Sequence, residues 1–191
     1  MNDATGLTVI YDACVLYPAP LRDLLVRLAR TYFFRARWTE AIHDEWIRNL
    51  LANRPDLSAT QLERTRRLMN AAVRDCVVTG YEKHIEQLAL PDPDDRHVLA
   101  AALEAQAQVI VTFNLRDFPT DTLQLHEVEA QHPDDFILRV IALNPLTIRE
   151  TVETHQQSLK NPPKSAAQYL ETLSNQRLPK TVEALRQLCF K

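Results

Sequence analysis

The run Val109-Ile110-Val111-Thr112-Phe113 constrains this chain more than any other segment. It is apolar and β-branched without alternation, and a polar loop follows it. A strand wetted on one face alternates, whereas a strand buried on both faces does not, so the run reads as a central strand of a parallel sheet. Leu7-Thr8-Val9-Ile10-Tyr11, ended by Asp12, has the same character. Between the two runs the apolar residues recur at helical spacing. Leu21, Leu24, Leu25, Leu28 and Ala29 predict a helix over roughly 20–34. Thr39 is a plausible N-cap for a second helix through Ile42, Trp46, Ile47 and Leu50. Asp56-Leu57-Ser58 opens a third, with Leu62, Leu68, Met69 and Val73 as its apolar positions. Cys76-Val77-Val78-Thr79 and Leu123-Gln124-Leu125 are expected to be further short strands. Strands separated by helices predict an α/β fold, a parallel sheet sandwiched by helices.

The strand signals stop near His132-Pro133. Helices are expected from Asp134, from Asn144-Pro145, from Ser165 and from Pro179, with a break at Asn161-Pro162-Pro163. The expected division is an α/β domain over 1–132 and an all-helical C-terminal appendage over 133–191. No apolar run is long enough to span a bilayer, and the N-terminus lacks a basic-then-apolar pattern, so the expectation is a cytoplasmic protein with no membrane partner.

Several chemistries are excluded by scarcity. The chain has only 2 Gly, Gly6 and Gly80, so neither a Walker loop nor a GxGxxG fingerprint can be built. Its 3 Cys, at Cys14, Cys76 and Cys189, show no CxxC spacing and suggest a reducing compartment. The 6 His form no HExxH, and the 4 Ser sit in no GxSxG elbow.

Charge is uneven along the chain. Residues 1–80 carry a net +2, residues 81–135 a net −9, and residues 136–191 a net +4. An acidic middle flanked by basic arms suits a carboxylate site that holds cations, with arginine and lysine around it to contact phosphates. A solvated helical surface would show the same pattern.

The acids fall where ligands of open α/β sheets bind, beyond the carboxyl ends of strands or at a helix start. Asp12 directly follows the first strand. Asp94 and Asp95 open a helix, and adjacent carboxylates repel unless a cation stands near them. One is enough for an N-cap, so Asp94 is taken as the cap and Asp95 as the ligand. Asn114 and Asp117 follow the strongest strand, and the Thr112 hydroxyl could hold a neighbouring carboxylate. On the second helix Asp44 and Glu45 flank the apolar stripe on opposite edges, and helical geometry does not choose between them. Oxygen donors of this kind suit Mg²⁺ or Mn²⁺, which act on water and on phosphoryl charge.

Asp12 in Val-Ile-Tyr-Asp-Ala-Cys-Val-Leu, Glu45 in Ile-His-Asp-Glu-Trp, Asp95 in Asp-Pro-Asp-Asp-Arg-His-Val-Leu-Ala-Ala-Ala, and the segment Val-Thr-Phe-Asn-Leu-Arg-Asp-Phe resemble the PIN-domain nucleases. The likeness is to the VapC-like toxins of bacterial toxin–antitoxin pairs and covers about residues 7–130. The resemblance implies a PIN-like sheet sandwiched by helices and hydrolysis of RNA phosphodiesters with Mg²⁺ or Mn²⁺. It implies Asp12, Glu45, Asp95 and Asp117 as the metal-binding quartet, and it is what favours Glu45 over Asp44. Asp94 is then an auxiliary acid, Asn114 a supporting residue and Thr112 an orienting hydroxyl. It implies an RNA substrate, a cognate antitoxin protein and a homodimer, and because RNA sequence is read on splayed, unstacked bases the expected target is a structured RNA such as tRNA. One position departs from the pattern: Cys14 stands where many members have Asn.

Other readings compete. A haloacid-dehalogenase-like phosphatase wants Asp-x-Asp after its first strand, and Cys14 occupies the third position. A receiver domain wants a paired acid near the first strand and a lysine after a late one, and neither is evident. A non-catalytic α/β interaction module would use the acids only as caps.

Overall fold

The computed structural model describes residues 6–190. Its sheet has four parallel strands, β1 (Thr8–Tyr11), β2 (Arg35–Arg37), β3 (Val109–Val111) and β4 (Glu129–Gln131), in the order β2-β1-β3-β4. The two runs singled out by their continuous apolarity are the inner strands, with Val9 opposite Val109 and Tyr11 opposite Val111. Every residue of β3 is fully buried, as a strand covered on both faces requires.

Connectivity decides where a site can form. From β1 the chain moves to one side and makes the edge strand β2. It then crosses back to place β3 on the other flank of β1. The order reverses between β1 and β3, and such a reversal opens a crevice at the carboxyl ends of the strands. Asp12 and Thr112 each stand one residue beyond those ends.

Helices cover the sheet. After β1 come α1 (Ala13–Leu16) and α2 (Ala19–Ala29). α3 (Glu40–Asn53) begins at Thr39, whose hydroxyl accepts the Ile42 N–H. α4 (Ala59–Ala72) begins at Ser58 in a capping box with Gln61. α5 (Glu82–Ile85), α6 (Arg96–Glu104) and α7 (Thr120–Gln124) complete the layer around the strands. The Trp46 indole N–H donates to His43 Nδ1 at 2.9 Å, so His43 Nε2 carries the proton it gives to Asn70 Oδ1, also at 2.9 Å. Asn70 Oδ1 accepts the Trp38 indole N–H as well, at 2.8 Å, which ties α3, α4 and the end of β2 together.

Beyond β4 the chain is helical: α8 (Pro133–Leu143), α9 (Pro145–Ser158), α10 (Ala166–Ser174) and α11 (Pro179–Cys189). These helices share one continuous hydrophobic core with the sheet. Phe136 of α8 packs edge-on against Phe34 at 5.1 Å and Tyr11 at 6.2 Å between ring centroids. Tyr11 in turn stacks on Trp38 at 6.2 Å. His155 of α9 is buried with its Nδ1 3.0 Å from the Tyr169 hydroxyl of α10.

Some expectations fail. The helix expected over 20–34 is α2 and ends at Ala29, and Phe34 leads into β2, whose Arg-Ala-Arg sequence hides a strand. Cys76–Thr79 forms only an isolated bridge, Val77 opposite Trp38. Leu123 and Gln124 lie in α7, and Leu125 just beyond it, rather than in a strand. The fourth strand is Glu129–Gln131, a polar and half-exposed edge that carries no apolar signature. Leu68 faces outward and is 59% exposed. No helix among the described residues is long and apolar enough to cross a membrane.

Candidate active site

Asp12 is the most enclosed of the acids, with 2% of its surface exposed. Its backbone N–H extends the ladder to the Val111 carbonyl at 3.1 Å. Its Oδ2 accepts the Thr112 hydroxyl at 2.6 Å and the Cys14 thiol at 3.0 Å. Burial raises its pKa and the Glu45 charge adds to that, against the hydrogen bonds from Thr112 and Cys14.

Cys14 therefore fills the place where the pattern has Asn. Its sulfur accepts the Phe113 N–H at 3.2 Å while its S–H faces Asp12. Burial, with the Asp12 charge, pushes the thiol pKa upward, so it remains an S–H donor. Residue-type reasoning missed this role, because a lone cysteine in sequence looks like core filler.

Thr112 is fully buried and does hold the neighbouring carboxylate. Its oxygen also accepts the Asn114 N–H at 3.0 Å, which turns the chain toward the site. Asp117 closes that turn by donating its N–H to the Asn114 carbonyl at 3.0 Å. The Asn114 side chain is exposed and Asp117 is half-buried.

Asp95 is half-buried at the start of α6, with its pKa pushed up to about 7. Burial contributes most, followed by the negative charges of Asp12, Asp117, Asp92 and Glu45. Four acids from β1, α3, the α6 start and the loop after β3 therefore share one field. The two edges of the α3 stripe also separate here. Glu45 lies 3.3 Å from His97 Nε2, whereas Asp44 pairs with Arg66 at 3.0 Å and lines a groove of about 650 Å³ between α3 and α4. That groove holds none of the four acids.

The cap before α6 is a correction. Asp92, not Asp94, accepts a capping hydrogen bond, from the Asp94 N–H at 2.9 Å. Asp94 is exposed, and Asp92 rather than Asp94 is among the charges that raise Asp95. Pro93 explains the shift, since its ring starts the turn one residue earlier.

Among the described residues, no three His, Cys, Asp or Glu side chains stand close enough to enclose a metal ion. The donor chemistry nevertheless fits a hard cation. The acids oppose one another's ionisation, and Mg²⁺ keeps most of its waters and binds through one or two carboxylates instead of a cage.

A family model described as PIN domain matches residues 8–116. The chain belongs to the PIN-domain family. A second model, described as VapC50 C-terminal domain, matches residues 133–187, the span of α8 to α11. This PIN-domain chain is 37% identical over 94 residues to a Mycobacterium tuberculosis protein named "Putative ribonuclease VapC50". That alignment takes in 49% of the chain and 55% of the relative, so about half of each is compared. No solved structure matches the chain significantly. Asp12 of this PIN domain lies at the β1/β3 reversal, where open α/β sheets bind their ligands.

Proposed function

We propose that this PIN-domain protein is a divalent-metal-dependent endoribonuclease and the toxin of a toxin–antitoxin pair. The observation that carries the proposal is the mutual field of four carboxylates at the sheet reversal, seen in the raised Asp95. Asp12, Glu45, Asp95 and Asp117 are the candidate ligands of Mg²⁺ or Mn²⁺, which would bind one or two of them directly and keep most of its waters. When bound, the ion supplies water activation and neutralises phosphoryl charge.

The chain's own residues do the rest. Thr112 and Cys14 fix the Asp12 carboxylate in one orientation, so it needs no reorganisation to meet its ligand. Asn114, on the turn held by Thr112, faces the solvent from which the substrate comes. Asp95 can hold a proton near neutral pH and yields it once a positive charge arrives. In the hydrolysis a water oxygen bonds to phosphorus and the bond to the 3′ oxygen breaks. The water's proton ends on that oxygen, leaving a 5′-phosphate and a 3′-hydroxyl.

A structured RNA with unstacked bases, such as a tRNA arm, is the proposed substrate. A cognate antitoxin and a homodimer are the proposed protein partners, in the cytoplasm. The test is cleavage of tRNA, rRNA and mRNA by the purified chain with Mn²⁺, beside Asp12→Asn and Asp95→Asn shown folded by circular dichroism. Cleavage that EDTA stops and both variants lose supports the proposal. Equal cleavage by all three proteins means the activity lies elsewhere, and calorimetry showing no Mn²⁺ binding by a chain that cuts nothing ends it.

A further inference from the structure

We propose that Arg177 is the side chain through which the C-terminal helices bind a phosphate of the RNA strand beside the acidic site. The inference rests on the ribonuclease proposal and assigns part of its substrate grip to one residue of the helical part.

Arg177 lies in the tight turn between α10 and α11, in left-handed backbone (φ 62°). Its N–H closes the turn on the Ser174 carbonyl at 3.0 Å. The turn is fastened from below by Asp134 of α8, which is buried. Asp134 accepts the Lys180 N–H at 2.9 Å and the Thr181 N–H at 2.7 Å, capping α11 across the fold. The base of Arg177 is therefore fixed.

Its guanidinium carbon sits 5.0 Å from the centroid of the Phe113 ring. His132 meets the same ring edge-on at 5.2 Å. Phe113 directly follows Thr112, and its N–H donates to Cys14, so the ring belongs to the segment that holds Asp12. The C-terminal helices thus deliver a cation to the same strand end as the carboxylates.

The contrast with the other arginines of this part is informative. Arg139 pairs with Glu129 at 3.0 Å, Arg149 with Glu153 at 2.8 Å, and Arg186 with Glu183 at 2.9 Å. Among the described residues Arg177 has no carboxylate partner, and it is exposed. Stacking on a ring satisfies one face of a guanidinium and leaves its N–H edge free. That edge matches two phosphate oxygens. A cluster of acids repels an RNA strand, and a fixed cation at its rim offsets that repulsion where the strand must enter.

The test uses the full chain carrying Asp12→Asn, in EDTA, with a fluorescein-labelled single-stranded RNA 15-mer read by anisotropy. Arg177→Ala should weaken binding about ten-fold and lower the slope of log Kd against log salt by about 0.7. Arg186→Ala removes the same charge and should leave both unchanged. Arg177→Lys should restore the slope but only part of the affinity, which a purely structural role would not produce. In the otherwise wild-type chain with Mn²⁺, Arg177→Ala should raise KM for tRNA cleavage and leave kcat nearly unchanged. Equal binding by Arg177→Ala and its Asp12→Asn parent, with the wild-type chain cutting RNA in Mn²⁺, overturns this inference alone. Equal losses from Arg177→Ala and Arg186→Ala overturn it too. A wild-type chain that cuts no RNA in Mn²⁺, with an Asp12→Asn parent that binds none, overturns the ribonuclease proposal and this one with it.

Discussion

Thr112 and Asp12 stand 100 residues apart in sequence, and the threonine hydroxyl donates to the buried carboxylate across 2.6 Å. The contact joins the ends of the two inner strands, so it serves both the sheet and the acid site. Replacing Thr112 with Val keeps the shape and removes the donor. The loss should destabilise the protein by roughly 1–3 kcal/mol, the cost of a buried polar group losing its partner. Thr112→Ser should recover most of it. Urea denaturation midpoints of the three proteins check this, and a Val variant as stable as wild type would refute it.

Cys14 gives a second test. Cys14→Ala leaves the Phe113 N–H without its acceptor and takes a donor from Asp12. Stability should fall by about 1–2 kcal/mol, and RNA cleavage should fall with it. Cys14→Ser keeps a donor and an acceptor and should sit between the two. A rank order measured by thermal melts and by cleavage rates is the check.

Asp95 makes stability depend on pH when no cation is present. Its folded pKa of about 7 lies above that of the unfolded chain, so the native state binds more protons. The metal-free protein should gain stability as pH falls from about 8 to 6.5, and the gain should be missing in Asp95→Asn. Saturating Mn²⁺ should flatten the wild-type curve, because the cation replaces the proton. Melting temperatures in EDTA and in Mn²⁺ across that range decide it.

His43 acts in the opposite sense and at lower pH. Burial lowers its pKa, and Trp46 occupies its Nδ1. The unfolded chain takes up this proton near pH 6.5 while the folded one still refuses it. Its stabilising contribution is complete above that pH and is lost as pH falls through the folded value. The difference in denaturation midpoint between wild type and His43→Asn should therefore shrink from pH 7.5 to pH 5.5. A constant difference would sink the assignment.

Phe136 tests whether the C-terminal helices are part of the fold. Phe136→Ala empties a space lined by Tyr11 and Phe34, at a cost of about 3–5 kcal/mol. Loss of helical and aromatic circular dichroism should coincide in one transition. Two separate transitions would mean that the helices fold independently.

The inner strands, the caps at Thr39 and Ser58 and the four C-terminal helices were legible because each rests on local periodicity or capping chemistry. β2 and β4 were not. Arg-Ala-Arg and Glu-Ala-Gln are edge strands whose exposed residues are free to be polar, and only their pairing with β1 and β3 makes them strands. The site followed the same division. Asp12, Asp95 and Asp117 could be picked out from their place after a strand or before a helix. Helical geometry does not separate Glu45 from Asp44, because what sets them apart is the pairing of Glu45 with His97 and of Asp44 with Arg66 on other helices. The Cys14 thiol needed Phe113, 99 residues away, to show its use.

The four acids come from positions 12, 45, 95 and 117, and the Phe136 ring packs on Tyr11, the residue before Asp12. No nascent fragment holds the set in place. On the ribosome the site therefore assembles only after the segment through Asp117 has emerged, late in synthesis.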